Sequence, residues 1–125
     1  MPGKTTKSLT PRTLTRRAAL FASDKQALDI LVLDLRKVTD FTDYFVICSG
    51  AVDVHVKAIY EHIEEELRKL GYKPTHIEGE ENLRWVLMDY VDFIVHVFQA
   101  DVRGYYSIER LWGDAGEVKI KGVNA

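Results

Sequence analysis

One helix does most to decide what this chain can become. Val52, Val56, Ile59, Tyr60, Ile63, Leu67 and Leu70 recur every three or four positions and form a single apolar stripe over residues 52–70. The other side of that helix is wet. Glu64 stands four residues before Arg68, and Glu65 four before Lys69, the favourable order for charge pairs along a helix. Asp53 suits the positive end of the helix dipole, and Gly71 is placed as a C-cap. A helix with one apolar stripe has to bury it against something, and the flanking segments read as strands.

Before the helix, "ALDILVLDL" (27–35) alternates Ile30, Val32 and Asp34 with Leu31, Leu33 and Leu35 and reads as a strand buried on both faces. The turn-rich "VTDFTD" (38–43) leads into "YFVICSG" (44–50), a second strand rich in aromatic and β-branched residues and closed by Gly50. After the helix, "KPTHIEG" (73–79) predicts a short strand, and Trp85–Tyr90 with Phe93–Phe98 a tight hairpin turning at Tyr90-Val91-Asp92. That turn lacks the favoured Asn-Gly or Asp-Gly, so the pattern leaves its register open. Thr10 as N-cap with Pro11 at the first helical position starts a helix over 11–24, with Leu14, Ala18, Leu20, Phe21 and Ala22 on its apolar side. A last helix is expected over 101–112, with Asp101 as N-cap, Gly104 a weak point, and Tyr105, Ile108, Leu111 and Trp112 apolar.

This order predicts an α/β (mixed α+β) single domain: a mixed sheet of about five strands flanked by helices. The chain's 125 residues fit one domain, and its 46% apolar and 29% charged residues suit a globular protein. The expected organisation is a disordered basic tail at 1–9, the domain at 10–113 and a flexible tail at 114–125. No apolar run reaches membrane-spanning length, residues 1–17 hold no apolar segment and are not expected to act as a secretory leader, and the lone Cys48 can form no internal disulfide. The expected setting is cytoplasmic, with no membrane partner. The net charge of −2 hides an asymmetry: residues 1–17 carry five bases and no acid, and the remainder 12 bases against 19 acids. An acidic body does not coat nucleic acid. The basic N-terminus is read either as a solvated tail or as a segment able to touch rRNA.

Chemistry is hard to find. The chain has no glycine-rich phosphate loop, no nucleophile elbow, no paired-cysteine zinc motif and no H-E-x-x-H. His55 and His62 lie two helical turns apart, roughly 10 Å, too far for one ion. Cys48, amid Tyr44, Val46 and Ile47, reads as an inert core thiol, and His96, alternating with Val95 and Val97, as a hydrogen-bonded core histidine. No cofactor is expected.

The stretch "EGEENLRWVLMDYVDFIVHVF" (78–98) is different, because it sets acids and a Trp beside strands that need only bury hydrophobes. Glu78 and Glu80, two apart on a strand, would share a face and with Asp89 could hold a divalent cation for a metal-dependent nucleotidyltransferase. Alternatively, Trp85 and Leu87 form an apolar patch rimmed by acids, the anatomy of a docking surface, with Val86, Met88 and Tyr90 facing the core. By pattern alone, a core Trp85 is equally open.

A resemblance favours docking. "TDYFVICSG" (42–50), His55, "IEGE" (77–80), Trp85, "DY" with "IVHVF" (89–98) and "YYSIERLWGDA" (105–115) resemble, in order and spacing, the Iojap/ribosomal silencing factor (RsfS) family. The resemblance implies a fold related to nucleotidyltransferases without the catalytic acids, and no enzymatic activity. It implies a translational repressor that binds the large ribosomal subunit through its fourteenth protein and obstructs small-subunit joining, with large-subunit assembly as an alternative role. It also implies a homodimer when free. The docking residues it implies are Trp85 foremost, then Glu78, Glu80, Leu87 and Asp89. The chain departs from the pattern at Ala51 and Val52, where Thr and Ser are usual and cap the helix, and at Val91, usually Gly in the hairpin turn.

Overall fold

The computed structural model describes residues 9–106 and 113–123. Helix α1 runs Pro11–Asp24; Thr10 caps it by accepting a hydrogen bond from the Thr13 N–H at 3.1 Å. Its buried side carries Leu14, Thr15, Ala18, Ala19 and Ala22. The small alanines let it lie close to its neighbours. Strand β1 (Leu28–Asp34) begins with an irregularity between Leu28 and Leu31, where Asp29 takes a positive φ of 49°. The predicted alternation therefore takes hold only from Ile30. Strand β2 (Tyr44–Gly50) is buried along its whole length. At Gly50 a Cβ would stand 2.7 Å from the Val56 amide nitrogen, so the strand can abut the next helix only without a side chain.

Helix α2 spans Asp53–Lys69 and buries Val56, Ile59, Tyr60, Ile63 and Leu67. Val52 is its N-cap, offers no side-chain hydrogen bond and is exposed, so the stripe begins one turn later than the periodicity predicts. His55 compensates: its Nδ1 accepts from the Ala51 N–H at 2.8 Å, and its Nε2 lies 2.8 Å from the Lys25 carbonyl oxygen. Arg68 pairs with Glu64 as expected, but Lys69 pairs with Glu66 rather than Glu65. Gly71, at φ +97°, follows the C-cap Leu70.

Strands β3 (His76–Glu78), β4 (Trp85–Asp89) and β5 (Phe93–Gln99) complete the larger part of the sheet. Helix α3 starts at Ala100, so Asp101 sits in its first turn rather than at the N-cap. The second half of the predicted 101–112 helix lies outside the described residues. The sheet has six strands in the order β3-β4-β5-β2-β1-β6, antiparallel except for β2 beside β5. The sixth, β6 (Gly116–Glu117), pairs with Leu33 and Asp34 of β1 where the sequence predicts a loose tail. Val118, Ile120 and Val123 then pack against the core. Two residues without β propensity gave no local signal; the open edge of β1 supplied the backbone partners.

Helices α1 and α2 cover one face of the sheet over Ile30, Val32, Tyr44, Val46, Cys48, Val86, Met88, Val95 and Val97. The opposite face gathers Leu33, Leu35, Phe45, Ile47, Ile94 and Phe98 with Val102 of α3. Each such large apolar side chain contributes roughly 1.5–3 kcal/mol by leaving water. Among the described residues no helix is long and apolar enough to cross a membrane.

Candidate docking site

The period of two along β4 sorts its residues cleanly. Val86 and Met88 are wholly buried under the helices, while Trp85, Leu87 and Asp89 are half-buried on the opposite face. Antiparallel pairing brings Glu78 opposite Leu87, and His76 opposite Asp89. On the other side Phe98 lies opposite Trp85, His96 opposite Leu87, and Ile94 opposite Asp89. Glu78, Trp85, Leu87 and Asp89 therefore share one face, as the docking reading expects.

Glu80 does not join them. Gly79 has φ +86° and ends β3, and a Cβ there would lie 1.9 Å from the Trp85 carbonyl oxygen. Only glycine can pass so close to the Trp85 backbone. Beyond it, Leu83 N–H donates to the Gly79 carbonyl and closes a turn. Glu80 then lies within electrostatic reach of Tyr60 on α2: burial first, then Glu61 and Glu80, raise the Tyr60 phenol pKa. The expectation that Glu78 and Glu80 share a strand face fails at this turn, because the i, i+2 rule holds only while the backbone stays extended. Among the described residues no three His, Cys, Asp or Glu side chains are grouped to hold a metal ion.

Trp85 is a half-open residue on a buried foundation. Its indole stacks on Phe98 at 4.9 Å between ring centres and 25° between planes. Its Nε1–H donates to His96 Nδ1 at 3.1 Å. His96 is 2% exposed, with Phe45 standing nearly perpendicular to it at 4.5 Å. Burial pushes the imidazole pKa down to about 3, so the ring is neutral at physiological pH. An indole only donates, so Nδ1 must be the acceptor and the proton resides on Nε2. That Nε2–H has no hydrogen-bond partner among the described residues. Leaving such a donor buried costs about 1–3 kcal/mol.

A cleft of about 320 Å³ opens beside the indole, lined by Glu78, Gly79, Asn82, Arg84, Trp85 and Leu87. Glu78 is exposed at its rim, its carboxylate hydrogen-bonded to His76 Nε2. Asp89 is more committed, accepting from the Val91 N–H at 2.8 Å. That bond, with Thr42 Oγ1 donating to the Val91 carbonyl at 2.9 Å, holds Val91 at φ +73°, a conformation a β-branched residue rarely adopts. Arg84 and Asn82 were not singled out by sequence, since exposed loop residues carry no periodic signal. Placing His96 beside Trp85 required the hairpin register that the unusual turn left open.

The rest of the molecule offers less. A larger cleft of about 560 Å³ at the β1–β6 edge is lined by Asp34, Arg36, Lys37, Val38, Asp114 and Gly116, and Arg36 is there bound to Asp34 at 2.7 Å. Cys48 is fully buried and burial pushes its thiol pKa up to about 12, which leaves it unreactive.

Fold and site together define a small mixed-sheet domain whose exposed chemistry is an aromatic strand face beside a cleft lined by one acid, Glu78, and one base, Arg84. The chain belongs to the ribosomal silencing factor family: the family model described as "Ribosomal silencing factor during starvation" matches residues 8–125. It is 42% identical over 104 residues to the ribosomal silencing factor RsfS of Bacillus subtilis, covering 83% of this chain and 88% of that one. A crystal structure of a protein from Chromobacterium violaceum superposes with a TM-score of 0.82 at 29% identity, covering 94% of both chains. A more distant relative in Mus musculus, 29% identical over 91 residues (70% of this chain, 40% of that one), is named mitochondrial assembly of ribosomal large subunit protein 1.

Proposed function

We propose that this protein is a non-enzymatic ribosomal silencing factor that binds the large ribosomal subunit in the cytoplasm. It docks there on the fourteenth large-subunit protein, obstructs joining of the small subunit and so represses translation. The observation that carries this is the placement of Trp85: a large indole, half-open on a rigid aromatic base, beside Leu87 and a cleft rimmed by Glu78. Such a residue is the usual anchor of a protein interface. The family and the names of its relatives support a ribosomal partner, and the name of the mouse relative supports the large subunit. Glu78 contributes rim charge toward a basic partner, and Asp89 acts mainly by holding the hairpin turn. Glu80, carried toward α2, contributes to the long-range field rather than to the contact. An rRNA contact by the basic residues of the N-terminal segment adds to affinity, and the free protein is a dimer that exchanges its own partner for the ribosomal one.

Co-sedimentation with separated ribosomal subunits tests this. Binding to the large subunit, lost in Trp85→Ala and accompanied by fewer joined ribosomes, is the expected result. Binding to the small subunit alone would refute it. The name of the mouse relative favours a second role, in large-subunit assembly, through the same face. Association with immature rather than mature large subunits would select that role.

A further inference from the structure

We propose that His96 is a positioning residue for the docking anchor: its buried imidazole, accepting the Trp85 indole N–H, holds that ring flat on Phe98 in the orientation the partner meets. This rests on the reading of Trp85 as the anchor.

Three observations lead to it. The acceptor sits one strand over from the anchor, on β5, where His96 pairs with Leu87 and Phe98 with Trp85. A diagonal neighbour on the same sheet face is thus within reach of a long aromatic ring. The indole is bounded on one side by Phe98, in stacked contact, and at its N–H end by His96 Nδ1. Two constraints in different directions, one stacking and one hydrogen-bonding, leave a half-open indole little freedom to turn. Finally, His96 is poorly matched to a purely packing role. It is enclosed by Phe45, Phe98 and Trp85, yet its Nε2–H has no hydrogen-bond partner among the described residues. An aliphatic or phenyl side chain in that space would bury no orphaned donor. What the imidazole adds is one acceptor aimed at one indole. An anchor already ordered in the free protein binds more tightly, because less side-chain freedom is lost on association.

The test is a double-mutant cycle read by two methods. His96→Leu removes the acceptor and keeps an apolar side chain; Trp85→Phe keeps a ring and removes the donor. Binding to purified large ribosomal subunits is measured for the parent, both single variants and the double variant. The indole N–H resonance of Trp85, assigned by its loss in Trp85→Phe, reports the hydrogen bond directly. The expected results are a parent-like or higher melting temperature for His96→Leu, a displaced indole resonance, and binding weakened roughly 5- to 10-fold. In the Trp85→Phe background the same change should weaken binding no further. His96→Gln, which retains an acceptor, should recover part of the loss and keeps the test usable if His96→Leu folds poorly. An unmoved indole resonance in His96→Leu overturns the positioning role. So does unchanged binding by His96→Leu where Trp85→Ala is impaired, and that outcome leaves the docking face standing. Unchanged binding by Trp85→Ala overturns the docking face itself, and this inference with it.

Discussion

Strands β4 and β5 are neighbours in one sheet, yet they live in different solvents. β5 is buried at every position from Phe93 to Phe98, whereas β4 alternates between half-buried and buried. Helices α1 and α2 cover both strands on one face. On the other, the cluster of Phe45, Ile47, Ile94 and Phe98 is sealed, and Trp85 and Leu87 only lean against it. The difference is one of cover, not composition: β4 is as apolar as a core strand on the face that packs and keeps a large ring on the face that is half left open. If β4 is the docking strand proposed above, a strand used for stability and a strand used for recognition lie side by side, with the second borrowing the rigidity of the first.

The comparison breaks most sharply at Phe98 against Trp85. Phe98→Ala, in the sealed part, should cost about 3–5 kcal/mol of folding stability, read as a large fall in melting temperature. Trp85→Ala should cost clearly less in stability but roughly 2–4 kcal/mol of binding, about 30- to 1000-fold in co-sedimentation on large subunits. If Trp85→Ala melts as low as Phe98→Ala, the indole is core and the distinction between the strands collapses. Gly79→Ala comes next. With φ +86° and no room beside the Trp85 carbonyl, it should cost roughly 1–3 kcal/mol of stability and weaken binding by shifting β3 from β4. A fully native amide spectrum for that variant would show the turn to be more forgiving than its geometry.

The buried imidazole gives a pH signature of the sealed region. A free histidine titrates near 6.5, but burial holds His96 at about 3 in the fold. Between those values the unfolded chain takes up a proton that the folded chain refuses, so stability falls as pH drops from about 6.5 toward 3. By pH 5 the loss should be about 2 kcal/mol, and denaturant titrations of His96→Leu should lack that part of the slope. An identical slope in parent and variant would mean the imidazole is not held neutral. The smallest effect concerns the rim. Glu78→Lys should slow association and flatten its salt dependence while changing stability little, and Glu80→Lys should do less, since it lies toward α2. Equal effects would mean that overall charge, not the rim, steers the encounter.

Much of this was legible beforehand. The Thr10-Pro11 start of α1, the stripe of α2 from Val56 onward, and the sorting of β4 into Val86 and Met88 against Trp85 and Leu87 all follow from the sequence, because capping and periodicity act over a few residues. The direction of Glu80 was not legible, since it depends on Gly79 leaving the extended conformation to clear a carbonyl from a different strand. Nor was β6, whose two residues hold their place only because β1 has a free edge.

Capping and apolar spacing were enough to predict β1 to β5, α1 and α2, and to sort most of their residues between one side and the other; those are consequences of local sterics and of the spacing of apolar groups. Sequence also put Trp85 on one strand face with Leu87 and Asp89, near Glu78, but left open whether that face was core. The tertiary structure alone decided that this face would be only partly covered, that His96 from β5 would reach the indole, and that Glu78 would stay beside it while Glu80 turned away. Those outcomes depend on the register between strands and on helices folded back from distant parts of the chain, and no local pattern specifies how far a cover extends.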